Sequence, residues 1–328
     1  MSDRASISNI VKLSIPIFFA NLVIPLVAIV DTGLMGNLDN GSYLTATSIA
    51  TSVFSLIFWS FGFLRMGTTG MVAQAHGSKN YDEIVNLVFR NIAFVILISL
   101  LLIIFQRYIF IISLSIFELS SETTKYFKEY YELRIYSSFG ELTIYIITGL
   151  FIGLQRTTVS SVVVGFFSIT NILLSLLFVV YFDLDVQGVA LGTLVSSSLT
   201  SIIFLCYTFF ELQKFTSIKI NLEKIFNLKK ITKLFNINFD IFIRSAFLTF
   251  SFLFFTYLGN TISEDVVAAN TILLNLIMLS AFILDAYAFS TEGIVGYSIG
   301  SKDKKLLTNV IKNSFILSAT TGLLISIV

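Results

Sequence analysis

Residues 67–80 read "GTTGMVAQAHGSKN" and residues 290–303 read "STEGIVGYSIGSKD". Thr68, Gly70, Val72, Gly77, Ser78 and Lys79 recur as Thr291, Gly293, Val295, Gly300, Ser301 and Lys302, all at one offset (302 − 79 = 223). The same offset pairs Gly36-Asn37 with Gly259-Asn260, Ala46 with Ala269 and Ile49 with Ile272. A register kept without a gap from Gly36 to Asn80 makes the chain a repeat of one structural unit.

The unit is a membrane bundle. Of 328 residues 55% are hydrophobic and 12% charged, with a mean hydropathy of +0.88, against about half apolar and a quarter charged in soluble domains. A net charge of +1 provides no basic face for nucleic acid, and the single Cys206 allows no intrachain disulfide. The apolar run after Arg4 and Lys12 continues through Asp31 with no small-x-small cleavage motif, so it reads as a retained span rather than a signal peptide. A bacterial-type inner membrane is the expected location.

Charge-free runs of about 20 residues, each long enough to span, predict nine helices near 10–36, 43–76, 83–112, 122–154, 157–182, 187–212, 233–259, 266–299 and 306–328. Lys79, Arg156, the lysines of 213–233 (Lys219 among them) and Lys302, Lys304 and Lys305 mark alternate connections. The turns at 37–42, 183–186 and 260–265 carry no Lys or Arg, and 107–128 balances Arg107, Lys125 and Lys128 with Glu118 and Glu122. The positive-inside rule then puts the N-terminus and the lysine-bearing connections in the cytoplasm.

Six spans separate the two copies, an even number, so both have the same orientation and an axis along the membrane normal relates them. The expected fold is all-α and polytopic: a six-helix lobe over 1–212, a basic cytoplasmic linker over 213–232 with an amphipathic surface suited to anionic lipid, and a partial three-helix lobe over 233–328. Two complete copies need about 446 residues, roughly 118 beyond the 328 here, so the sequence reads as C-terminally truncated.

"PIFFANLVIPLVAIVDTGLMGNL" (16–38), "FGFLRMGTTGMVAQAHG" (61–77) and "DIFIRSAFLTFSFLFFTYLG" (240–259) resemble the multidrug and toxic compound extrusion (MATE) family. "AANTILLNLIMLSAFILDAYAFSTEGIVG" (268–296) resembles its DNA-damage-inducible protein F branch. The resemblance implies two six-helix lobes around a central cavity. It also implies export of organic, often cationic, compounds against inward H⁺ or Na⁺, with no other cofactor.

Asp31 is the leading site residue. It lies about 28 Å along its helix from Lys12, where a bare carboxylate is costly and binding a proton or cation relieves the cost. Pro16 and Pro25, the chain's only prolines, share that helix and equip it to bend. The stretch "NILLSLLFVVYFDLDVQGVALGT" resembles the family's cation-site region, with Asn171 and Thr193 at matching positions. Some members have a carboxylate four residues after the asparagine; Ser175 here removes that charge, which favours H⁺ while leaving Na⁺ at Asp31 and Asn171 open.

Asp240 and Arg244, four apart, are expected to pair on one helix face. Asp285 and Glu292, seven apart, share a face and are deep enough to border a cavity or to partner Arg65 or Arg244. Arg65 is expected to snorkel toward the inner interface or brace the lobes. Glu141 has no evident nearby cation and is a candidate for the first-lobe cavity.

The 34 Phe and 13 Tyr can form aromatic walls for planar cations. His76 is the only histidine, and no Cys/His cluster suggests a transition-metal site. The leading expectation is a monomeric antiporter whose lobes rock about the cavity while exporting cationic amphiphiles. Alternatives are a non-transporting remnant or split-subunit partner, and a flippase for lipid-linked sugars, which would need a more cationic cavity. An enzyme is not expected, because no Ser-His, His-Asp or metal constellation is present.

Overall fold

The computed structural model describes residues 2–38, 40–117, 119–216, 222–262 and 264–327, which form helices and no strand. Lys219 and residues 217–221 of the predicted linker, like Glu118, lie outside the described residues. The α-helices are α1 Ile7–Gly36, α2 Gly41–Ser60, α3 Phe63–Gly77, α4 Tyr81–Ile104, α5 Gln106–Ile116, α6 Ser121–Arg134, α7 Ser138–Gly153, α8 Thr157–Leu176, α9 Asp185–Gln213, α10 Leu222–Ile225, α11 Leu228–Ile262, α12 Glu264–Gly300 and α13 Lys304–Ile327. Every one of the nine predicted positions is helical. Among the described residues seven segments are long and apolar enough to cross a membrane.

Several predicted single helices are jointed. The 43–76 helix is α2 and α3, parted at Phe61-Gly62, where N–H groups bond three residues back (Phe61 N to Phe58 O, 2.9 Å; Gly62 N to Trp59 O, 3.0 Å). Ser60 just before it donates to Leu56 O at 2.7 Å, a back-bond that bends helices. The 83–112 helix breaks at Phe105, and 122–154 is α6 and α7 joined by a 3₁₀ turn at Ile135–Ser137. In contrast, α1 runs unbroken through Pro16 and Pro25, although the carbonyls of Lys12 and Asn21 each lose a backbone donor there.

The repeat is visible atom by atom. Lys79 and Lys302 both take the left-handed conformation (φ 57° and 58°), ending α3 and α12 in the same way. Ser78 N bonds Gln74 O at 3.0 Å and Asn80 N bonds Ala75 O at 2.9 Å; Ser301 N to Tyr297 O (2.9 Å) and Asp303 N to Ser298 O (3.0 Å) are their counterparts. The next helix is then capped alike, by Asn80 Oδ1 accepting Glu83 N at 3.1 Å and Asp303 Oδ1 accepting Leu306 N at 2.9 Å. Gly-Ser-Lys-Asx is therefore a helix stop, a turn and a helix start in one unit.

These two copies also touch each other. A Cβ on Gly77 would run into the Tyr297 carbonyl oxygen, and one on Gly300 into that of Gln74. Tyr297 is the counterpart of Gln74 and Gly300 of Gly77, so the contact maps onto itself when the copies are exchanged, as a two-fold relation requires. The α3–α12 crossing thus lies at the internal axis, with Gly296 packed on Ala73 beside it. Elsewhere α3 packs on α7, α8 on α9 and α2 on α6, while α1 bridges α8 and α12.

The lysine-rich connection is anchored in part. Arg90 of α4, buried, donates from Nε to Ile225 O (2.9 Å) and from Nη2 to Lys224 O (3.0 Å), and Ile225 itself is buried. Glu83 completes the anchor by pairing with Arg90 at 3.5 Å and with Lys230. Within 213–232, α10 is thus tethered to α4 at Ile225, while Leu222, Glu223 and Lys224 stay exposed.

Candidate functional site

A cavity of about 530 Å³ lies between α1, α2, α3 and α6–α9 on one side and α12 on the other. Of the residues singled out in the sequence, Asp31, Arg65, Glu141, Asn171, Thr193 and Asp285 line it. Pro16, Pro25, Asp240, Arg244 and Glu292 do not. Phe58, Trp59, Phe167, Phe282 and Phe289 give it an aromatic wall.

At the lysine-bearing end, the residues that precede α1 and the start of α1 itself meet α12, α13 and the turn after α7. Arg4 donates to Gln155 Oε1 at 3.1 Å and lies 4.2 Å from the centre of the Tyr297 ring, which meets His76 edge-on at 5.2 Å. Asn313 donates to Ala5 O at 2.7 Å, and the hydroxyls of Ser14 and Ser290, both buried, are 2.7 Å apart. Higher up, Asn21 donates to Phe282 O at 3.4 Å.

At the upper wall, α1, α8 and α9 bring a polar cluster together. Asn171 Nδ2 donates to Thr193 Oγ1 at 2.9 Å and to Ser196 Oγ at 3.4 Å, and Thr193 Oγ1 donates to Val189 O at 3.2 Å. Asp31 borders Ser175 and is within the electrostatic reach of Arg134. Asp31 Oδ1, Asn171 Oδ1 and Ser175 Oγ are shut off from solvent and make no hydrogen bond among the described residues. Buried oxygens without donors are costly, and a bound proton or hard cation answers that need.

Glu141 has a cation after all. Arg134 forks onto it, Nη2 to Oε2 at 3.1 Å and Nη1 to Oε1, while Ser137 Oγ donates to Oε1 at 2.8 Å. The Arg134 guanidinium also lies 5.2 Å and 5.0 Å from the rings of Phe54 and Phe58. Arg134 is the functional-site residue that the sequence reading missed. Its spacing of seven from Glu141, the lone charge of the apolar stretch that follows it, was the available signal.

Two expectations are narrowed and one is corrected. Arg65 does not snorkel to an interface: it stands in the cavity wall, its guanidinium 3.6 Å from the centre of the Phe289 ring of α12, because the Phe61-Gly62 joint turns α3 inward. It braces the two bundles. Asp240 and Arg244 form no ion pair; both are exposed, and Arg244 Nη2 instead meets Met66 Sδ at 3.5 Å. Asp285 is in the cavity wall while Glu292, one helical face position further, is half-buried outside it, and both act electrostatically on Arg65.

The MatE family profile matches residues 16–177 and 241–328. Over 318 residues the chain is 30% identical to DNA damage-inducible protein F of Escherichia coli, covering 96% of this chain and 69% of that one. Solved structures share the fold. A MOP superfamily transporter from Pyrococcus furiosus superposes with a TM-score of 0.85 at 19% identity, covering 96% of this chain and 70% of that one. A MATE in complex with Br-NRF does so with 0.80 at 20%, covering 97% and 75%. With the duplicated bundles and the cavity enclosed between them, these matches establish that the chain belongs to the MatE family of membrane transporters.

Proposed function

We propose that this protein is a secondary antiporter that exports amphipathic organic compounds, many of them cationic, in exchange for H⁺. The observation that carries the reading is the trio of buried, donor-free oxygens on Asp31, Asn171 and Ser175 beside an aromatic-walled cavity that accommodates a drug-sized molecule. With one carboxylate and two neutral oxygens, the cluster suits a single proton on Asp31. The same oxygen set also accommodates Na⁺, with Thr193 as a further donor.

In this reading the lysine-bearing end, with the N-terminus, faces the cytoplasm of a bacterial inner membrane, and the state described is outward-facing. The 1–212 and 233–328 segments act as the two lobes of a monomer, joined by 213–232. Asp31 in its ionised form attracts a cationic substrate; protonated, it loses that attraction and can donate to Asn171 Oδ1. Gain of that bond draws α1 toward α8, and the two proline sites, each one backbone bond short, are where α1 bends. Substrate leaves as the upper cavity narrows, and the lobes then rock about the α3–α12 crossing.

Asp31→Asn removes the titration and keeps the shape. In everted vesicles it should abolish substrate transport driven by a pH gradient while leaving expression and thermal stability intact. Retained pH-driven transport would rule out Asp31 as the coupling residue, and Na⁺-driven transport in the unsubstituted protein would assign the cluster to Na⁺.

A further inference from the structure

The cavity's charges are unevenly satisfied. Arg134 and Glu141 neutralise each other through a two-pronged contact, and Ser137 fills part of what is left of the carboxylate. Arg65 has no such partner. No carboxylate oxygen lies within 4.0 Å of its guanidinium among the described residues, and its Nη1 is shut off from solvent without a hydrogen bond. Yet the side chain is held in place, face-on to Phe289. A stacked guanidinium keeps its edge N–H groups free, and that edge matches a planar two-oxygen anion.

Its surroundings add a second element. Asp285, on the opposing α12, is exposed in the same cavity wall and has no ion-pair partner among the described residues. Besides Asp31, the cavity thus presents an unpaired cation on α3 and an unpaired anion on α12, among apolar and aromatic neighbours such as Ile152, Phe282 and Phe289.

We propose that Arg65 is a carboxylate anchor, so that the cavity selects amphiphiles bearing a carboxylate on an apolar body, with or without an ammonium group to meet Asp285. The proposal rests on the transport reading of the cavity but is separable from it. A purely cationic compound needs Asp31 or Asp285 and not Arg65, whereas a carboxylate needs Arg65. Because Arg65 and Phe289 belong to different bundles, a carboxylate held on that edge sits at the joint between them.

The test uses the full chain purified in detergent and three probes with one body: tritiated 1-naphthylacetate, its neutral amide, and 1-naphthylmethylammonium. Scintillation proximity binding should show the carboxylate at least tenfold tighter than the amide. Arg65→Gln should erase that preference, while ammonium binding persists or tightens because a like charge has been removed from the cavity that holds Asp285. Arg65→Lys, which keeps the charge but loses the planar fork, should weaken carboxylate binding several-fold, and it decides the matter if Arg65→Gln does not fold. Equal binding of carboxylate and amide by the unsubstituted protein would overturn the proposal and mean that Glu292 satisfies Arg65 in solution. An undiminished carboxylate preference in both variants would overturn it as well. Loss of ammonium binding by the unsubstituted protein would instead count against the transport reading itself.

Discussion

Gly77→Ala tests the α3–α12 crossing directly. Neither Gly77 nor Gly300 has a positive φ, so alanine is conformationally allowed at both, and any loss comes from crowding alone. At Gly77 the added methyl would overlap the Tyr297 carbonyl oxygen and stand 2.9 Å from Ser301 N. Both are backbone atoms of a helix and cannot rotate aside. Overpacking of this kind costs about 1–3 kcal/mol, against at most ~1 kcal/mol gained from replacing glycine by alanine in a helix. Because the overlap is with helix backbone, the cost falls in the upper part of that range, so the expected net loss is about 1–2 kcal/mol, which lowers the melting temperature by roughly 2–6 °C in a chain of this size. Gly70 is an internal control in the same helix: nothing lies within 4 Å of its would-be Cβ, so Gly70→Ala should stabilise by up to ~1 kcal/mol. Gly300→Ala should match Gly77→Ala, and because the two substitutions relieve themselves by parting the same helices, the double variant should lose less than their sum. Thermal unfolding in detergent, followed through the single Trp59, reads all four. A Gly77→Ala protein as stable as the original, or a Gly70→Ala protein as damaged as Gly77→Ala, would refute the close crossing and with it the placement of the internal axis.

Glu141→Gln leaves Arg134 without its carboxylate in a largely enclosed site, so stability should fall by about 3 kcal/mol, and the paired Arg134→Met/Glu141→Leu variant should recover most of that loss; thermal melts that rank the double below the single would contradict this. Arg90→Ala removes both bonds that hold α10, so tryptic cleavage at Lys229 should accelerate at least tenfold with no change in the melting of the remainder, and an unchanged cleavage rate would show that Ile225 burial alone docks the segment.

The architecture was legible because it rests on composition and repetition, which survive in one dimension. Nine apolar runs gave nine helical positions, and the 223-residue offset (302 − 79 = 223) foretold that Lys79 and Lys302 end their helices alike. Helix joints were not legible: the break at Phe61-Gly62 falls inside an unbroken apolar run, where hydropathy is blind to which N–H bonds three rather than four residues back.

That joint is also why the site was only partly readable. The sequence put Arg65 inside an apolar helix but could not give its direction, since direction depends on how α3 leaves the joint and on the glycine contacts that press it against α12. Asp31 was foreseen as a carboxylate in an apolar run, Asn171 and Thr193 only through the resemblance of their stretch to the family's cation-site region, and α1, α8 and α9 do gather the three around one cavity. Arg134 escaped because it ends a charged, outward-leading segment, "SETTKYFKEYYELR", that resembles a surface helix until the 3₁₀ turn folds its last residue back onto Glu141. The same physical step decides both arginines. A short turn inside a span redirects a guanidinium: Arg134 thereby finds a carboxylate of its own chain, whereas Arg65 is left facing the space between the bundles, and that asymmetry makes Arg65 rather than Arg134 the residue available to a ligand.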